Sequence, residues 1–244
     1  MEDLKDFRAA FVVKNGRLAA ENGKALFECG VYADPRVKGT VHIAPLSEKD
    51  FDLYSHSDLV KVIRLLHGNV VTEKVVRKVK RRGGTVEIAG TDLLKLAVVE
   101  RHKATGNVGL GLIEGYGLKN GAIALTVSHD SHNVIVLGDS SANMYAAVRE
   151  IERIGGGMAL VEDGKGKDSL PLEIAGLMSE LPIDVFEEKL EKMIAAAYEM
   201  GVAKDIQPFM SLSFLALVVI PELKITDRGL FDVVQFRFTP VEAE

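Results

Sequence analysis

Across 244 residues the chain carries 30 basic and 35 acidic side chains, a formal charge of −5, with 47% hydrophobic residues, 6% aromatic and no Trp. That mild acidity excludes a protein whose main partner is a phosphate backbone, so no nucleic acid is expected, and the length suffices for one large domain or two modest ones. The longest apolar run, Phe214 to Ile220, is far too short to cross a bilayer, residues 1–8 are charged rather than signal-like, and the single Cys29 allows neither an internal disulfide nor a Cys-rich metal cage. Together these point to a reducing cytoplasm and no membrane partner.

The chain opens as a hairpin: Ala10 to Val13 and Arg17 to Ala20 flank Asn15-Gly16, a pair that accepts positive φ at both positions. Asn22-Gly23 suggests a second tight turn. So bare a hairpin needs partner strands from elsewhere, including from residues that precede Met1 in a longer protein. Tyr32 to Asp52, with Pro35 and Pro45 and no sustained period, reads as a linker or irregular cover.

From Leu59 the pattern becomes β-rich. Leu59 to Leu66, Thr85 to Ile88 and Leu93 to Glu100 are strand candidates, although a helix competes for the last. Between them, Lys74 to Arg82 holds six basic residues. With no interleaved aromatics in an acidic chain, it reads as a solvated strand or helix face with Val75, Val76 and Val79 packing inward. After the polar loop at 103–107, Gly109, Gly111, Gly115, Gly117 and Gly121 signal bulges or close backbone approach. They form no phosphate loop, because no Gly-Lys-Ser/Thr follows.

Ala122 to Val127 and Val134 to Leu137 flank Ser128-His129-Asp130-Ser131-His132-Asn133. Asp139 or Ser140 then caps a helix through Arg153, with Met144, Ala147, Val148 and Ile151 at helical spacing, closed by Gly155-Gly156-Gly157. Met158 to Glu162 and Ser169 to Leu172 bracket Asp163-Gly164 as a second hairpin. Asp184 opens a helix ending at Gly201, with Val185, Leu190, Met193, Ile194 and Ala197 on one face. An apolar segment, Met210 to Ile220, stops at Pro221, and Val233 to Phe238 reads as a final strand. Without a regular βαβ beat, the expected class is α+β: mixed or antiparallel sheets with packed helices, plus a small β-hairpin region at the N-terminus. The expected division is residues 1–50 as a partial β domain and linker, and 51–244 as the α+β domain.

Two polar clusters are candidates for chemistry. In Ser128 to Asn133, imidazoles three residues apart could turn toward one point, with Asp130 orienting either ring; the same residues could equally form a turn in which Asp130 and Asn133 satisfy backbone groups. A metal held by His129, Asp130 and His132, with or without Glu100, falls short of a defined zinc motif. Glu100-Arg101-His102 reads by itself as a strand end with an exposed ion pair. Cys29 lacks an activating pattern for a catalytic thiol.

The stretches LKLAVVERHKATG (94–106), GLGLIEGYG (109–117), GAIALTVSHDSHNVIV (121–136), LPLEIAGLMS (170–179) and PFMSLSFLALVVIPELKI (208–225) resemble the C-terminal region of bacterial and archaeal adenine deaminases of the amidohydrolase superfamily. The hairpin at 12–24 is similar to that family's return from the barrel into its smaller β domain. The resemblance implies hydrolysis of adenine to hypoxanthine and ammonia by water activated on a divalent metal (Mn, Fe or Zn) in a barrel. The superfamily's His-x-His is missing here, since the six His lie at 42, 56, 67, 102, 129 and 132, and no β/α repeat long enough for a TIM barrel is present.

The resemblance therefore implies the family's second half, which holds no cofactor alone and works with an amidohydrolase barrel chain. It assigns His129, Asp130 and His132 as catalytic candidates at the barrel mouth, and Ser128, Asn133, Glu100 and His102 as candidates for holding adenine or a related purine. A non-catalytic purine-binding or regulatory stand-alone domain is the competing expectation. The apolar tail segment leaves a homo-oligomer open.

Overall fold

The computed structural model describes residue 5, residues 8–28 and residues 34–243; Cys29 and Tyr32 lie outside the described residues. The chain forms two compact units, Met1–Pro35 and Arg36–Glu244.

In the first unit β1 (Phe11–Lys14), β2 (Arg17–Glu21) and β3 (Lys24–Ala25) form a three-stranded antiparallel sheet. Its turns have positive φ at Asn15, Gly16, Asn22 and Gly23, as the two Asn-Gly pairs demand. Phe11 and Val13 stay exposed.

The second unit runs β4 (Leu59–Leu65), β5 (Thr72–Lys78), β6 (Lys80–Arg82), β7 (Thr85–Glu87), β8 (Leu94–Val99), β9 (Val108–Glu114), β10 (Gly121–Leu125), β11 (Val134–Gly138), α1 (Ser141–Arg153), β12 (Gly157–Glu162), β13 (Lys165–Pro171), α2 (Ile183–Glu199), α3 (Pro208–Ser213), β14 (Leu223–Thr226), β15 (Gly229–Asp232) and β16 (Arg237–Phe238). Eight strands make one mixed sheet in the order β13-β12-β10-β11-β8-β9-β4-β5, antiparallel except for the β4–β9 pair. The class is α+β, and no closed barrel forms among the described residues.

The central strands are covered on both faces, which is why they read as unbroken apolar runs. Period-two alternation sorts side chains by size. Leu96 and Val98, Ile123 and Leu125, and Ile135 and Leu137 face the core shared with α2 and α3. Ala97, Ala122 and Ala124, with Val134 and Val136, face α1 through its Met144, Ala147, Val148 and Ile151. Small residues on that face let α1 lie close. Ser140 caps α1 by accepting from the Asn143 N–H. The irregular segment before β4 lies over the same face, with Phe51 fully buried.

The glycines of β9 serve close approach. A Cβ on Gly109 would stand 1.9 Å from the Thr226 carbonyl oxygen, and one on Gly111 would stand 2.7 Å from Leu230, so the β14–β15 hairpin sits directly on the strand.

Three expectations need correction. Val76 points outward and is 48% exposed, because Val75 and Val76 are neighbours on a strand and only one can face in. Residues 233–236 form a turn rather than a strand: Asp232 Oδ1 accepts the Gln235 N–H at 2.9 Å and Phe236 has φ 50°, leaving only Arg237–Phe238 extended. In α2 the face narrows, since Met193 and Ala197 are buried while Val185 is exposed. The basic stretch is a solvated face in which four of the six charges are matched: Arg77 on Glu114 (shared with Arg64 of β4), Lys74 on Asp232, Arg81 on Asp58 and Arg82 on Glu87.

Candidate functional site

The loop Ser128–Asn133 joins β10 to β11, two adjacent central strands, and the Glu100–His102 cluster leaves β8, the next strand over. Because Val134 pairs with Val99, segments far apart in sequence meet at one end of the sheet. The two clusters singled out in the sequence are thus one structural cluster.

Arg101 ties them together. Its side chain is 1% exposed, and its guanidinium donates to the His132 carbonyl at 2.5 Å, the Ala175 carbonyl at 3.0 Å and the Thr40 carbonyl at 3.4 Å. Its backbone N–H donates to Asn133 Oδ1 at 3.3 Å, and burial pulls its pKa below the usual arginine value. The exposed ion pair expected at this strand end is therefore a buried cation held by carbonyls. Gly176, at φ 71°, lies against the guanidinium, where an added Cβ would stand 2.9 Å from it. Thr126 closes the base of the loop, donating to the Gly176 carbonyl at 2.5 Å and accepting the Gly157 N–H at 2.8 Å.

Glu100 is a loop clamp. One carboxylate oxygen accepts the N–H groups of His102 and Lys103 at 2.6 and 2.8 Å, and the other accepts the N–H and hydroxyl of Thr105 at 2.9 and 3.0 Å. Burial works to raise its pKa, but those four hydrogen bonds hold it at about 2. His102 is exposed, with Nε2 2.7 Å from the Ser131 carbonyl, so it closes the cluster from outside.

His129 and His132 sit edge to face, ring centroids 5.6 Å apart. His132 has φ 52°, and its buried Nδ1 has no hydrogen-bond partner; the same is true of the fully buried Ser128 hydroxyl. Burial, then the nearby His129 and Arg101, pull the His132 pKa below that of a free imidazole. Asp130 is exposed, while Asn133 is buried beneath Arg101. Among the described residues no group of three His, Cys, Asp or Glu is arranged to hold a metal ion, and the Glu100 carboxylate is already saturated by its own loop. The donor set does not fit a metal centre.

His129 turns the other way. Its backbone N–H donates to the Ser213 carbonyl at 3.1 Å, and its ring lies 5.0 Å from that of Phe214, tilted by 34°. It forms one wall of a cavity of about 390 Å³ between the sheet end, α2 and α3. Sequence reasoning missed that cavity, because Met158, Leu190, Met210 and Phe214 come from separate segments and read locally as core. It also missed Arg101 as the organiser, because Thr40 and Ala175 meet it only through main-chain carbonyls, which leave no signal in the sequence.

Among the described residues no helix is long and apolar enough to cross a membrane. The profile of the adenine deaminase C-terminal domain family matches residues 69–237. A protein named adenine deaminase from Nitratidesulfovibrio vulgaris (strain DP4) is 49% identical over 99% of this chain and 42% of its own length. One of the same name from Clostridium acetobutylicum is 46% identical over 98% of this chain and 42% of its own, and adenine deaminase 2 of Carboxydothermus hydrogenoformans matches at the same 46%. The chain thus spans about two-fifths of the length of these curated relatives. With the family profile covering most of the sequence and near-half identity along almost all of it, the chain belongs to the adenine deaminase C-terminal domain family.

Proposed function

We propose that this chain is the C-terminal part of an adenine-deaminating assembly, in which a metal-bearing amidohydrolase barrel supplies the water chemistry and the Ser128–Asn133 loop faces the purine. The observation that carries the reading is the convergence of that loop with Glu100–His102 at one sheet end, braced by a buried arginine. Such bracing positions groups on a rigid scaffold, which is what a site on a loop needs.

In this reading Arg101 and Glu100 are positioning residues, Ser128 and Asn133 shape the loop, and His129 and His132 are the groups able to meet substrate. A His132 imidazole kept neutral by burial is a ready proton acceptor near neutral pH, and Asp130 stabilises it once charged. A divalent ion (Mn, Fe or Zn) held by the barrel would lower the pKa of its bound water and so supply the nucleophile.

Exposed apolar side chains support a partner. Met178, Ile183 and Met210 lie 58%, 77% and 59% exposed around α2 and α3, and Phe11 is 65% exposed on the N-terminal sheet. The working compartment is the cytoplasm.

The test is adenine-to-hypoxanthine turnover by the chain alone with Mn²⁺, Fe²⁺ or Zn²⁺, and again with a separately expressed, metal-loaded adenine deaminase barrel. Activity only in the mixture is the expected result. Silence in both arms moves the chain to the competing role, a stand-alone purine-binding or regulatory domain.

A further inference from the structure

The cavity beside His129 has a chemistry of its own. Its volume of about 390 Å³ lies within the roughly 300–1,000 Å³ of small-molecule sites. No Lys, Arg, Asp or Glu lines it, so an ionised ligand would find no counter-charge there. Its walls offer two rings, His129 and Phe214, and two thioethers, Met158 and Met210, a set that favours a flat aromatic face.

Polar groups are few. The Ser213 hydroxyl has its donor committed to the Met210 carbonyl at 2.7 Å and can only accept. Gln207 is half spent: its Oε1 accepts the Met210 N–H at 2.5 Å as the cap of α3. That bond fixes the carboxamide and leaves its two N–H donors for a ligand, while the His129 ring can donate or accept.

We infer that this cavity is a slot for a neutral purine base, held between the Met158 and Met210 thioethers and the His129–Phe214 rings, with the Gln207 amide donating to a ring nitrogen. The choice of a purine rests on the functional reading above; the size, planarity and neutrality of the ligand follow from the cavity alone. The slot places the base against His129 rather than over Ser128 and Asn133, whose side chains are buried. It makes Gln207, Met210 and Phe214 specificity residues.

The experiment is titration of the whole chain with adenine, followed by calorimetry and by the His129 ring resonances, with AMP as the charged comparison. Saturable one-site binding of adenine is expected, with AMP at least tenfold weaker for want of a cation. Gln207→Glu keeps the helix cap but removes both donors, and weakens adenine at least tenfold. Met210→Trp, at an exposed position that leaves the core untouched, fills the slot and abolishes binding.

No saturable binding to the wild-type chain at millimolar adenine overturns the inference. So does undiminished binding by folded Met210→Trp. The two readings fail separately: a chain that binds adenine but restores no barrel loses the deaminase role and keeps the slot. A chain that restores a barrel but binds no adenine alone loses the slot and keeps the role.

Discussion

Replacing Glu100 by Gln probes the clamp that shapes the site without entering it. The carboxylate takes four hydrogen bonds, two on each oxygen. A carboxamide keeps one acceptor oxygen for two of them and turns an N–H₂ toward the Thr105 N–H. Hydrogen bonds to a charged group are each worth about 1.5–3 kcal/mol, so a net loss of about 2–3 kcal/mol at neutral pH is expected.

An independent estimate comes from acid-base linkage. A carboxyl held at about 2 in the folded protein, against an ordinary 4.5, favours folding by about 3 kcal/mol at neutral pH. Because the folded value is the lower one, this stability is complete above pH 4.5 and drains away as pH falls toward 2. By pH 3 about 2 kcal/mol of it is gone. Urea unfolding of both proteins at pH 7 and pH 3 measures the difference. A gap of about 2–3 kcal/mol at pH 7 that narrows to about 1 kcal/mol at pH 3 supports the clamp. A gap that stays constant with pH refutes it, because the loss would then owe nothing to ionisation.

Gly109→Ala puts a methyl 1.9 Å from a backbone oxygen, and should cost at least about 3 kcal/mol by denaturation or leave the protein insoluble. Gly176→Ala combines a φ of 71° with a Cβ against the Arg101 guanidinium, for an expected loss of about 1–3 kcal/mol and shifted His132 resonances; unchanged spectra would sink the claim that Gly176 makes room for the guanidinium. Ser140→Ala removes the α1 cap at about 1 kcal/mol, read from thermal unfolding. His132 should titrate below 6.5 by NMR, chiefly through burial, and Arg101→Met should raise its pKa where the fold survives; since the unfolded imidazole binds its proton first, stability falls as pH drops through that range.

Much of this was legible in the sequence, and the parts that were not share a cause. Turns and caps are local, so Asn15-Gly16, Asp163-Gly164 and the Ser140 start of α1 could be read directly. The doubly covered strands at 94–99, 121–125 and 134–138 announced themselves as apolar runs. Val76 and the 233–236 turn misled because apolar residues there answer to strand register and to one Asp232 hydrogen bond, neither visible in composition. At the site, both polar clusters were visible, yet their meeting was not, since it depends on β8 and β11 being neighbours. The Arg101 partners were beyond reach for a sharper reason. Every acceptor of its guanidinium is a main-chain carbonyl, and a carbonyl leaves no mark on the sequence.

That same absence of side-chain partners explains how the site can hold its shape. A buried guanidinium paired with a carboxylate would answer to the charge of one residue, and losing either partner would strand the other. Arg101 spreads its donors over segments around residues 40, 132 and 175, so three stretches of backbone are fixed by one side chain. The arrangement leaves the cation uncompensated close to His132, where it opposes a second positive charge. Burial first, then His129, lower the His132 pKa, and the group that holds its carbonyl adds to the same shift. His129 lies outside that grip, anchored to Ser213 and turned toward the apolar cavity. Two imidazoles three residues apart thus face different surroundings, one in the polar brace and one in the slot.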